Sequence, residues 1–339
     1  MGLLKRLFGV GGEPNLARVF NVMEITGLPL GAQMAFSPDE RFLAIGGEKL
    51  QIWNIEPPER IALIETQARV SCLSFTPDGT KLLAGLTNGT VEFWSTAEWT
   101  RAESLVAHQD TIYGIAVERN EGKYFATCSG KFEPTRARTT DDADLRVRIW
   151  DLRRRTPLKD LTGHVTVPGR LSNGVQAVEF GSADTVTSLG HDGTIIRWNI
   201  MTGDPISRVP PDVGPFKQFA CVNDGVVAIG KTVYFPPGVA DSAITKRLQR
   251  RKAGGVASSG DRRYFVLSSG DGKSGAMVHE ADIWDTALKK YRSIVRINGL
   301  LGPPNQLSLS AKGLYFAYSD IEIGGRTSKI LVLRIEGDA

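Results

Sequence analysis

Apolar and polar positions in this chain alternate in short runs broken by turn residues, and long helical spacing is absent throughout. In "FSPDERFLAIGGEKLQIWNI" (36–55) a Pro-Asp turn leads into an apolar run, a tight polar turn, and a strand closing on Trp53. "FTPDGTKLLAGLTNGTVEFWST" (75–96) repeats the arrangement and closes on Trp94. Such alternation, bounded by Pro, Gly, Asn and Asp, is how half-buried strands read. The pattern returns at 117–152, 180–200, 258–286 and 309–335, and more faintly at 222–235. Trp53, Trp94, Trp150, Trp198, Phe235, Trp284 and Leu333 mark equivalent strand ends, giving seven repeats. The interval from Trp53 to Trp94 suits a unit of four strands.

"IWDL" (149–152), "GHDGTIIRW" (190–198), "TGH" (162–164) and the recurrent Pro-Asp turns together resemble the WD-repeat β-propeller family, over about residues 16–336. The resemblance implies an all-β, seven-bladed propeller of four-stranded antiparallel blades, preceded by a tail at 1–15. "LARVFNVMEI" (16–25) reads as a spare strand ahead of the first repeat, and the last repeat stops after its third strand at Ile335. Pairing the two closes the ring and removes an exposed sheet edge.

The resemblance also implies a buried hydrogen-bond chain of His, Ser or Thr, Asp and Trp. His108, Thr127, Asp144 and Trp150 match it in the third repeat, and His164, Ser188, Asp192 and Trp198 in the fourth. A Ser-His-Asp set invites comparison with a catalytic triad. A structural role is the reading preferred here, because the indole N–H needs an acceptor and no Ser sits on a strand-to-helix elbow. In the second repeat Gly85 and Asn88 are read at the Ser and Asp positions, so no such chain is expected there. The fifth has no Trp.

In a blade of this kind the turn between the second and third strands lies on the same face as the linkers. The longest polar connections, 130–143, 162–175, 269–281 and 319–329, all fall on that face, whereas "SPDER", "TPDGT", "RNEGK" and "SAKG" on the other stay short. Loop length is thermodynamically cheap, so folding does not force this one-sidedness, and insertions gathered on one face often mark a binding face. Candidate partner-binding residues there are Lys131, Arg136, Arg138, Asp141, Asp142, Arg170, His279 and Arg326, beside Glu280 and Glu322. Mixed charge suits a partner protein with complementary patches.

Composition narrows the alternatives. The 339 residues carry 41 basic and 37 acidic side chains, net +4, too small an excess to argue for nucleic acid. The basic segment "ITKRLQRRK" (244–252), read as the outer strand of the fifth repeat, is the best candidate for phosphate or nucleic acid, but no aromatic is interleaved with it for stacking. "DLRRRTP" (151–157) is assigned to the opposite face. Leu3, Leu4, Leu7 and Phe8 within Gly2–Val10 would line one side of a short helix able to rest on a membrane or a partner's groove, although so short a segment reads more simply as a frayed tail. A propeller enzyme would need an axial metal or acid/base group. Asp110 and Asp144 are the nearest candidates, and no pair of the four histidines has zinc-ligand spacing. No cofactor, metal or catalytic residue is therefore expected. Cys72, Cys128 and Cys221 read as buried thiols of a cytoplasmic protein. The expectation is a non-catalytic scaffold for protein partners.

Overall fold

The computed structural model describes residues 18–133, 140, 142–181, 184–210, 216–222, 225–229, 233–234, 252–270, 279–287, 290–297, 306–321 and 327–336. Every regular element among them is a β-strand, and the strands form antiparallel sheets arranged as an all-β propeller. One register recurs. Trp53, Trp94, Trp150, Trp198, Trp284 and Leu333, each on the third strand of its repeat, stand opposite Leu43, Leu82, Phe125, Val186, Phe265 and Phe316 on the second. On the other side of the first five of these, the fourth strand carries an extra residue at the same point. The ladder shifts between Ile52 and Trp53, Phe93 and Trp94, Ile149 and Trp150, Arg197 and Trp198, and Ile283 and Trp284. A bulge raises the local right-handed twist, and here it bends each outer strand at one height.

The hydrophobic core is divided among the junctions between neighbouring repeats. Ala44, Leu50 and Ile52 of the first repeat pack on Val70, Leu82 and Trp94 of the second, and the same kind of cluster recurs round the ring. A last cluster joins Ala317, Ile330 and Val332 to Leu43, Ile45 and Ile55 through Met23, Ile25 and Leu28. Those three belong to the strand Arg18–Leu28, which pairs antiparallel with Ser328–Glu336 and has its own bulge between Asn21 and Met23. Arg18–Leu28 thus serves as the fourth strand of the last repeat.

The turns between first and second strands share one construction. Ser37, Thr76 and Ser259 each send a hydroxyl to an Asp two residues on and accept a backbone N–H five residues on. Glu118 takes over this role with its carboxylate, accepting the N–H groups of Asn120, Glu121 and Lys123. Each turn then needs a left-handed residue, supplied by Gly79, Gly122 and Gly313 but also by Glu40 (φ 62°) and Arg262 (φ 58°). A side chain in that region costs of order 1 kcal/mol. Glu40 offsets it by accepting the Lys312 N–H of the neighbouring repeat at 2.8 Å.

Several limits read from the sequence shift. The connection placed at 130–143 begins later, because Tyr124–Phe132 runs on as a strand and pairs Gly130–Phe132 with Ser172–Gly174. This ladder joins the third and fourth repeats into one eight-stranded sheet. Two glycines permit it: a Cβ on Gly174 (φ 121°) would lie 2.3 Å from the Gly130 Cα. For the same reason the linker placed at 162–175 ends where Ser172–Phe180 begins. The strands Tyr264–Gly270, His279–Asp285, Tyr315–Ile321 and Ser328–Glu336 likewise trim the other two long connections. Of the basic segment only Lys252 is described, and it opens the first strand of the sixth repeat, Lys252–Ser258, rather than closing an outer strand. Residues 244–251 lie outside the described residues, as do Gly2–Val10 and Phe235.

Candidate functional site

In the third repeat the Trp150 Nε1 donates to Thr127 Oγ1 at 2.9 Å, and Thr127 Oγ1 lies 2.8 Å from His108 Nε2. His108 Nδ1 lies 2.9 Å from Asp144 Oδ2. An indole nitrogen only donates, so the hydroxyl proton points to Nε2 and the ring proton sits on Nδ1, facing the carboxylate. The fourth repeat repeats the path from Trp198 Nε1 to Ser188 Oγ (2.8 Å), to His164 Nε2 (2.8 Å), with His164 Nδ1 3.3 Å from the Asp192 carboxylate. Burial would raise the pKa of both aspartates, but hydrogen bonds from His108 and Arg146 at Asp144, and from His164, Thr194 and Val165 at Asp192, hold them below the ordinary range. Ser188 and Thr127 are fully buried, so neither hydroxyl is open to a substrate. Asp110, the other axial acid considered, accepts the Asp144 N–H.

The second repeat departs from this in a way the sequence misplaced. Trp94 stands opposite Leu82, which puts Ala84, not Gly85, at the position of Thr127 and Ser188. Asn88 still caps its turn by accepting the Thr90 N–H, as Asp192 does for Thr194. The hydroxyl is missing, and Trp94 Nε1 is buried without a partner. Directly across from Ala84 lies Glu92, fully buried, with Oε1 bonded to Gln67 and Arg101 and Oε2 bonded to nothing.

Along the axis runs a cavity of about 550 Å³ lined by first-strand residues such as Leu73, Ile115, Val178, Val256 and Leu309. Glu179 is a carboxylate on its wall. It accepts the Cys221 N–H at 2.8 Å, and burial pushes its pKa up against the pull of Arg119. Arg119 spans from the third repeat to the sixth, donating to the carbonyls of Ser259 (3.0 Å) and Gly260 (2.6 Å). This strut was missed in the sequence, where a lone arginine in a turn carries no signal of a partner 140 residues away. Burial raises the thiol of Cys72 to about 12 and those of Cys128 and Cys221 well above normal, which fits buried, unreactive sulfur. Among the described residues no group of three His, Cys, Asp or Glu side chains is placed to hold a metal ion.

The linker-side rim brings together three of the eight partner-binding candidates. Lys131 pairs with Asp142, both carboxylate oxygens at 2.8 Å. Arg170 donates Nη1 to the His191 carbonyl at 2.7 Å. Between them Thr140 donates to the Arg170 carbonyl, and the fully buried Asn173 bonds Thr140 Oγ1 and both backbone groups of Val167. His279 begins a third strand opposite Gly270 and Ile297. Arg136, Arg138, Asp141 and Arg326 lie outside the described residues, as does Glu322. Arg153–Arg155 occupy the turn before Pro157–Leu161, on the opposite face, where Arg155 pairs with Glu103 of the second repeat and lies over the Phe93 ring.

Comparison with known proteins agrees with this architecture. The family described as "WD domain, G-beta repeat" matches residues 60–95. Human apoptotic protease-activating factor 1 is 25% identical over 180 residues, and the rat protein 24% over 179. Each alignment covers 52% of this chain but 13% of the relative, so the chain spans about an eighth of the length of these relatives. Among solved structures, the RRP9 WD40 repeats superpose with a TM-score of 0.64 at 15% identity, covering 95% of this chain and 100% of that one. U3-55K gives 0.63 at 15%, covering 94% and 99%. The match over residues 60–95 identifies a WD repeat there, and the shared fold is that of a β-propeller.

Proposed function

We propose that this propeller has seven blades and works as a non-catalytic platform that holds a protein partner on its linker-side face. The observation that carries the reading is the distribution of connections. Those between second and third strands, and the linkers, include 133–146, 162–171 and 271–278, whereas the opposite face keeps to turns such as 37–41, 76–80 and 310–314. Counting the eight-stranded sheet as two blades fused at one end supports the number seven. The engagement of Thr127 and Ser188 by indole nitrogens supports a structural rather than a chemical role for the His-hydroxyl-Asp sets. Three buried free cysteines favour work in a reducing compartment, the cytoplasm. The test is a charge-reversed rim, with Arg136, Arg138 and Arg326 changed to Glu, compared with the unmodified protein in affinity capture from its own cell extract. Loss of specific partners is expected; retention of all of them overturns the assignment of the face.

A further inference from the structure

The axial cavity lies on the short-turn side of the ring, away from the face assigned to a partner. Its volume, about 550 Å³, falls within the roughly 300–1,000 Å³ of small-molecule sites. Six first strands line it at one common level. Ala35, Ser74, Ala116, Glu179, Ala257 and Ser308 stand opposite Ala44, Leu83, Ala126, Thr187, Val266 and Ala317, the residues that follow those facing the tryptophans and Leu333. Five of the six are small and one is a carboxylate. Strands converging on an axis need small side chains, so size alone marks no site. The polar atoms do. The Ser74 and Ser308 hydroxyls make no hydrogen bond with the described residues. Glu179 accepts only from Cys221, whereas a carboxylate has room for about four donors. Burial pushes its pKa up, as expected of a carboxylate short of donors. At the mouth, Arg119 is held by the Ser259 and Gly260 carbonyls through Nη1 alone, which leaves its other donors unused among the described residues.

Charge selects the occupant. Four ionisable side chains line the cavity, Arg119 and Lys312 against Glu179 and Asp261. Arg262 and Glu118, within electrostatic reach of the same group, balance as well. A cation entering meets Arg119 and Lys312 at the mouth, and an anion meets Glu179 inside. Neither finds a dedicated counter-ion, and taking an unpaired charge out of water into an apolar cavity is costly. An uncharged body pays no such cost and covers walls such as Leu73, Ile115 and Val178. We propose that the cavity is a binding site for a small uncharged molecule, an apolar ring or short chain bearing a hydroxyl or N–H that Glu179 accepts, with Ser74 and Ser308 as further partners. The site makes no use of the linker-side face, so it stands or falls apart from the platform reading.

Indole, indole-3-acetate and tryptamine share one ring and differ in charge, so each is titrated into the full chain by calorimetry at neutral pH. Indole should bind saturably and at least tenfold more tightly than either charged analogue. Ala116→Leu and Ser308→Leu fill the cavity from two sides, and each should weaken indole at least tenfold. Glu179→Gln keeps an acceptor for the Cys221 N–H while removing the negative charge. It should narrow the gap between indole and indole-3-acetate at least threefold, a change that lost volume would not produce. Ser74→Ala adds no bulk and should weaken indole about twofold. Absence of saturable indole binding, equal affinity for the three probes, or indole affinity unchanged in both leucine variants overturns the proposal. Should the leucine variants fail to fold, an unchanged gap in Glu179→Gln together with unchanged indole affinity in Ser74→Ala overturns it instead.

Discussion

Ala84→Ser should stabilise the protein, although it inserts a polar group at a fully buried position. Two orphaned atoms make the difference. Trp94 Nε1 lacks an acceptor and Glu92 Oε2 lacks a donor, and Ala84 is the residue opposite Glu92 and at the hydroxyl position of the repeat. A serine there can accept from the indole, as Ser188 does at 2.8 Å, and donate to the carboxylate. An unsatisfied buried group costs about 1–3 kcal/mol, so satisfying two offsets the desolvation of one hydroxyl and any crowding from a single added oxygen, leaving a net gain of about 1 kcal/mol. Urea unfolding should show the midpoint rising at constant slope. The gain should vanish in a Trp94→Phe background, where the indole donor is gone, giving a coupling of about 1 kcal/mol in the double-mutant cycle. Stabilisation that persists in that background, or a serine variant weaker than wild type, would refute the hydrogen-bond argument.

Other outcomes follow from the same geometry. Ser188→Ala strands both the Trp198 N–H and a ring nitrogen of His164, so a loss of about 2–4 kcal/mol is expected by urea titration, and a loss below 0.5 kcal/mol would remove the chain from the ledger of stabilising contacts. Asp144 and Asp192 are held below their unfolded pKa near 4; their contribution is present above that value and disappears as pH falls through the folded pKa. Thermal melts of Asp192→Asn and wild type should therefore differ at pH 6 and converge toward pH 2; a gap that widens on acidification has the wrong sign. Deleting 18–28 removes the outermost strand of the last repeat and bares the Ser328–Glu336 edge. Light scattering should then show concentration-dependent association, and a monodisperse monomer would count against the seal.

Much of the fold was legible because it is periodic. Trp53, Trp94, Trp150, Trp198 and Trp284 stand at one register position, and the spare strand near the start does pair with the last. What escaped was set by contacts that repeat nothing. Gly130 and Gly174 read as loop residues, yet their missing side chains let two repeats share a sheet. Ala84 was overlooked for Gly85 because one residue of register cannot be fixed without the ladder. Trp99 and Arg155 lie in turns and look like solvent-facing residues. Both adopt the left-handed conformation that Gly203 takes in the fourth repeat, and both reach back to the preceding repeat, Trp99 edge-on to Phe42 and Arg155 to Phe93. Of the eight rim candidates, Lys131 and Asp142 form an ion pair and Arg170 bonds the His191 carbonyl, while Phe132, which the sequence assigned to a polar spacer, closes the strand Tyr124–Phe132.

The seam between Arg18–Leu28 and Ser328–Glu336 also sets a timetable. A ribosome delivers its two sides with the whole run of repeats between them, so Met23, Ile25 and Leu28 must wait, uncovered, while those repeats are made. The nascent chain cannot finish its circle in instalments: until Ser328–Glu336 emerges, an apolar ribbon is on offer to any unpaired edge nearby, which makes that interval the period of greatest need for a chaperone.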